Sequence, residues 1–140
     1  MKKLIALFII MGFGSLVHGQ SCPVPEPLDV KQALGIWKGA YSLNGEFIRF
    51  TLEVQDNQGE LTSKVSIPKL KINNMTYRTR ICDRQELHIK NTSANTSVEF
   101  IGRPKENGSM AGRVVFKQND ELSSEEVFSV TREKQSVASN

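Results

Sequence analysis

His88 is the one histidine left once the leader described below is set aside, so it decides how much catalysis this chain can hold. It alternates with Leu87 and Ile89 in a strand-like stretch, which predicts an imidazole on the solvent side. General acid–base chemistry needs a group that can be placed and tuned, and a lone exposed imidazole is neither. One histidine beside Cys22 and Cys82 also falls short of a zinc ligand set. The chain has no Gly-x-Ser-x-Gly elbow and no Gly-rich phosphate loop. Its adjacent carboxylates, Asp120-Glu121 and Glu125-Glu126, read as surface runs. Tyr77 and Thr79 are the only polar residues that catalysis by cavity shape could use. Arg78 and Arg80, one strand step apart, could grip a phosphate or a carboxylate, although such a pair also serves as a solubilising stripe. These residue types imply no cofactor and no metal, and they point to a binding module rather than an enzyme.

The elements that would position these residues begin after an export signal. Lys2 and Lys3 precede an apolar run from Leu4 to Val17, and Val17 and Gly19 sit like the −3 and −1 positions of a signal-peptidase site. The expected leader is 1–19. A membrane span is not expected, because a span needs roughly 20 apolar residues and Gly12, Gly14 and Ser15 interrupt this run. Acylation of Cys22 is a minor alternative, since Ser21 suits a lipobox but Gly19 does not. The Met-Lys-Lys start resembles bacterial leaders. The expected location is therefore secreted or periplasmic. In such an oxidising compartment Cys22 and Cys82 read first as one disulfide.

Without Lys2 and Lys3 the remaining chain is close to neutral, but its charge is uneven. Lys64, Lys69, Lys71, Arg78, Arg80, Arg84 and Lys90 crowd the middle, while Asp120, Glu121, Glu125 and Glu126 make the last hairpin acidic. The basic stretch reads first as a solvated sheet face and second as a docking surface for an anionic partner. It lacks the interleaved stacking aromatics of a nucleic-acid binder, so nucleic acid is not an expected partner.

The prolines of Cys22-Pro23-Val24-Pro25-Glu26-Pro27 predict an extended strap. A short helical turn follows at 29–34, with Asp29 as N-cap and Gly35 as the stop. From there the apolar period is two. Strands are expected at 36–44, 47–56, 60–68, 74–82, 84–90, 96–103, 109–118 and 123–132, with Asn44-Gly45 as a tight hairpin turn. Ile48, Phe50, Leu52 and Val54 share a face; so do Met75, Tyr77, Thr79 and Ile81, then Leu87 and Ile89, Val98 and Phe100, Met110, Val114 and Phe116, and Phe128 and Val130. Successive strands with one apolar face predict an all-β antiparallel up-and-down barrel, closed or half-open, of about eight strands. The polar tail 133–140 is expected to be disordered. Cys82 has the phase of Arg78 and Arg80, so a bridge to Cys22 would strap the proline segment over the outside of the barrel. Arg132 has the phase of Phe128 and Val130, so it should point inward, where Trp37 can receive it.

A Gly-x-Trp on the first strand with an arginine late in the last, here Gly35, Trp37 and Arg132, resembles the closure of the calycin superfamily, which includes lipocalins and fatty-acid-binding proteins. Gly39, Ser66-Ile67-Pro68, Phe100-Ile101-Gly102 and Gly112 extend the resemblance to a small secreted lipocalin-like β domain, a kind sometimes found ahead of bacterial α/β-hydrolases; here no hydrolase domain is expected after the tail. The resemblance implies a barrel that binds a small apolar or amphipathic molecule. Tyr41, Phe50, Tyr77, Phe100 and Phe116 would line it, or would fill the barrel themselves. The expected partner is thus a small apolar ligand or, with a filled core, another exported protein docked on the basic strand face.

Overall fold

The computed structural model describes residues 26–134. The expected leader, Cys22 with its disulfide or acylation, the first part of the proline strap and tail residues 135–140 lie outside the described residues.

Eight antiparallel strands close into a barrel in chain order: β1 (Gly35–Leu43), β2 (Glu46–Asn57), β3 (Glu60–Ile67), β4 (Ile72–Cys82), β5 (Glu86–Ser93), β6 (Thr96–Pro104), β7 (Ser109–Gln118) and β8 (Glu121–Arg132). The half-open alternative is set aside by the seam, where β1 pairs with β8 from Trp37↔Arg132 to Tyr41↔Phe128. Alternation explains the wall: Ile48, Phe50, Leu52 and Val54 are buried, and the residues between them are turned outward.

Four of the seven strand connections are two-residue turns, Asn44-Gly45 as its residues predict. Asn44-Gly45 has positive φ at both positions (52° and 81°), the twist that two-residue hairpin turns require. Gln58-Gly59 and Asn119-Asp120 repeat it. The strand limits expected from sequence, 84–90 and 96–103, leave 91–95 as the β5–β6 link. It contracts to Ala94-Asn95, with Ala94 at φ 48°, and β5 runs on to Ser93.

Because neighbouring strands alternate in direction, the barrel has two distinct ends. At the lower end the chain enters at Gly35 and leaves at Arg132. There α1 (Val30–Ala33) lies under the barrel, capped by Asp29, whose carboxylate accepts from the Lys31 amide at 3.0 Å. Ala33 is buried, and its carbonyl accepts the Trp37 indole N–H at 2.9 Å. The strap is tied down by the Leu28 amide donating to the Arg84 carbonyl (2.7 Å) and by Arg103 donating to the Glu26 carbonyl (2.7 Å). The upper end is framed by Asn44-Gly45, Ala94-Asn95, Asn119-Asp120 and a single 3-10 turn at Pro68–Leu70. No helix among the described residues is long and apolar enough to cross a membrane.

Close backbone approach shapes the β6–β7 wall. Gly102 faces Gly112 directly, and a Cβ on Gly112 would lie 1.9 Å from the Ile101 carbonyl oxygen. The Phe128 ring occupies the space above Gly102, so the missing side chains make room for an aromatic one.

Candidate functional site

At the lower end Arg132 is where its phase predicts. Its guanidinium sits 5.4 Å from the centre of the Trp37 ring and donates to the Gln32 carbonyl at 3.4 Å. Trp37, Arg132 and α1 together plug this end.

Of the five aromatic residues expected to line or fill the barrel, Tyr41, Phe50, Tyr77 and Phe100 are buried and Phe116 is half-buried. Four of the five pack on one another. Phe50 lies 4.8 Å from Phe100 and 5.8 Å from Tyr41, and Tyr41 lies 5.9 Å from Phe116, centroid to centroid. Phe128 meets both Phe50 (5.6 Å) and Phe100 (5.9 Å) edge-on. Edge-to-face and tilted rings at these separations attract beyond simple burial. The middle of the barrel is thereby occupied by its own side chains.

The polar groups inside are unevenly served. Ser63 and Thr79 share a buried hydrogen bond of 2.6 Å, and the Thr79 hydroxyl also lies 3.3 Å from the Tyr77 carbonyl. A chain in which Ser63 donates to Thr79, and Thr79 to that carbonyl, satisfies both hydroxyls. Thr79 is thus committed to the wall. The Tyr77 hydroxyl has the Asn91 amide beside it; burial raises its pKa and that hydrogen bond partly offsets the rise. The Tyr41 hydroxyl is buried and has no partner among the described residues. Burial, with a smaller contribution from neighbouring Tyr77, pushes its pKa up to about 12.

Above these groups several apolar side chains are exposed among the polar turns of the upper end, Phe47 on the outer face of the wall. Phe47 is 78% exposed and Leu122 61%, and Leu70 and Met75 are each 43% exposed. Met75 pairs with the fully buried Val65, so it keeps the inner phase that its alternation predicts, but at this height it remains open to solvent. Asn91 reaches across to the Met75 sulfur at 3.1 Å.

Two residues depart from their sequence reading. Glu126, expected on a surface run, pairs with the fully buried Val114 and so takes the inner phase, half-buried near the upper end. His88 does face outward, but its side chain is only 15% exposed. Its Nδ1 lies 2.8 Å from Glu99, and the carboxylate of Glu86 stands 3.6 Å from Nε2. Glu86 shares the face of His88 two residues along β5, whereas the approach of Glu99 from β6 is revealed only by the register. Cys82 is half-buried at the end of β4, in the phase of the exposed Arg78 and Arg80, and two residues from the Arg84 carbonyl that holds the strap.

Compared with protein-family models, with curated proteins and with solved structures, the chain matches none.

Proposed function

We propose that this chain is an exported, non-catalytic binding module of the lipocalin-like kind, which takes a small amphipathic molecule at the upper end of its barrel. The difference between the two ends supports this reading most. One end is plugged by α1, Trp37 and Arg132, while the other has Met75 on the inner phase and Leu70 and Leu122 exposed near it, above an interior that holds an unpartnered tyrosine hydroxyl. An apolar surface with a few converging polar groups beneath it is what a small ligand site needs. Half-buried Phe116 would contact the ligand first, and Tyr41 and Tyr77, buried beneath, would be reached only as the side chains above them part. Phe50 and Phe100, packed on each other below, would form the floor. The site would be shallow, because a deeper one would have to separate those rings.

A second reading, a filled-core interaction domain that docks through its basic strand face, is favoured by the same ring packing. Native mass spectrometry of protein secreted from a bacterial host separates the two. A co-purified mass lost on denaturation is expected for the carrier. A bare polypeptide at every preparation, with no mass gained on adding medium-chain fatty acids or their amines, would overturn it. The denatured mass is also expected to begin after the leader and to carry the two-hydrogen deficit of a Cys22–Cys82 bridge. Two free thiols would refute the strap.

A further inference from the structure

We infer that the outer face of β4 and β5 carries an oxyanion site, a groove in which Arg78, Arg80 and Lys90 hold a phosphate or sulfate group. The inference is independent of the ligand proposed for the upper end, and it supplies a chemistry for the basic face of the second reading. Arg78 and Lys90 are directly opposite in the ladder, and Arg80 stands opposite His88. Thr76, His88, Asn91 and Thr92 line the same groove. Like charges placed directly across two strands repel and cost stability. Ordinary sheets relieve this with a carboxylate on the next strand, and here one is available: Glu99 on β6 is the direct partner of Lys90.

That carboxylate is turned elsewhere. Its oxygen lies 2.8 Å from His88 Nδ1, and no carboxylate among the described residues comes within 4 Å of Arg78, Arg80 or Lys90. The other cross-strand neighbour of Arg78 is Thr62, which is uncharged. Glu99 is thus aimed at the His88 ring, with Glu86 3.6 Å from its other nitrogen, and neither carboxylate is paired with the cations of the groove. Three cations therefore share this wall without an ion pair among the described residues, and a local rule broken this way is expected at a functional site. Two guanidinium groups and an ammonium group suit a tetrahedral oxyanion, which accepts several charge-assisted hydrogen bonds at once.

The test uses the full secreted protein at low salt, titrated with inorganic phosphate against sodium chloride of matched ionic strength, and followed by the backbone amides of β4 and β5. A saturable shift confined to these strands is expected in the millimolar range with phosphate alone. The double variant Arg78→Gln/Lys90→Gln should weaken it at least tenfold, while Arg113→Gln on β7 leaves it unchanged. The double variant should also melt no lower than wild type, since it removes a repelling pair from an outward face. Equal shifts with chloride, or an unchanged titration in the double variant, would overturn the site. Sedimentation with vesicles of phosphatidylglycerol, compared with phosphatidylcholine, then identifies the source. Binding lost in the double variant assigns a lipid headgroup, and phosphate shifts without vesicle binding assign a soluble phosphate or sulfate ester.

Discussion

Replacing Tyr41 with phenylalanine should stabilise the protein. The substitution keeps the ring, and with it the contacts to Phe50 at 5.8 Å and Phe116 at 5.9 Å. It removes only a hydroxyl that is buried and has no partner. In protein interiors an unpaired hydroxyl costs about 1–3 kcal/mol, so the gain should be about 1 kcal/mol or more. For a domain of this size that raises Tm by about 4–8 °C. The same hydroxyl gives the substitution a pH signature. Unfolded tyrosine ionises near 10, whereas Tyr41 in the folded chain resists ionisation to about 12. The unfolded chain therefore releases its proton first, and stability present in full below pH 10 falls as pH rises toward 12. Tyr77, raised in the same direction by burial, contributes to the same fall. In Tyr41→Phe the fall should be shallower, with Tyr77 supplying what remains. Urea unfolding at pH 7 and at several values between 9 and 12 measures both effects. A variant less stable than wild type at pH 7 would refute the reasoning, because it would mean that the hydroxyl already has a partner. If the proposed ligand uses that hydroxyl, the variant should be more stable alone yet bind less tightly.

Gly112→Ala should destabilise the protein by about 1–3 kcal/mol, because the new methyl carbon would lie 1.9 Å from the Ile101 carbonyl oxygen and the β6–β7 ladder would have to part; a melting temperature within a degree of wild type would count against it. Arg132→Met keeps most of the stem that packs near Gly35 but loses the charge over Trp37 and the bond to the Gln32 carbonyl. A loss of about 1–2 kcal/mol is expected, with the tryptophan fluorescence altered; an unchanged spectrum and stability would show that the guanidinium contributes nothing at the plug.

The barrel was legible in the sequence because alternation survives along most of the wall, and the plug because Trp37 and Arg132 each fall at an inward position. What escaped reading were departures from the alternation. Asn91 is a polar residue in the apolar phase of Ile89, so β5 looked finished before its true end at Ser93. Ala94 supplies a left-handed turn position that glycine or asparagine would have announced. Glu126 looks like one of a pair of surface acids until its pairing with Val114 shows which of the two turns inward. Of the carboxylates around His88, Glu86 shares its face by strand alternation, but Glu99 is 11 residues away on the next strand and only the register brings it there. Tyr41, Phe50, Tyr77 and Phe100 take the buried phase that alternation predicts, but whether such rings line a space or fill it depends on ring-to-ring distances, which sequence does not carry.

The seam between β1 and β8 sets the order in which this molecule comes together and comes apart. Every other strand pair joins neighbours in the chain through a short connection, whereas the seam joins residues such as Trp37 and Arg132 across nearly the whole domain. Closing that long loop has the largest entropic cost and returns nothing until the other strands are in place. The seam should therefore form last and open first, and amides of Gly39–Tyr41 bonded to β8 should exchange sooner than those of β2 bonded to β3. Once open, β1 and β8 would each present an unpaired edge, the surface on which strands of separate molecules associate. The indole, the guanidinium and the Glu133 amide bonded to the Ile36 carbonyl at 2.7 Å stand at the mouth of this seam. What looks like the plug of a cup is also the clasp that keeps each molecule from becoming the template for another.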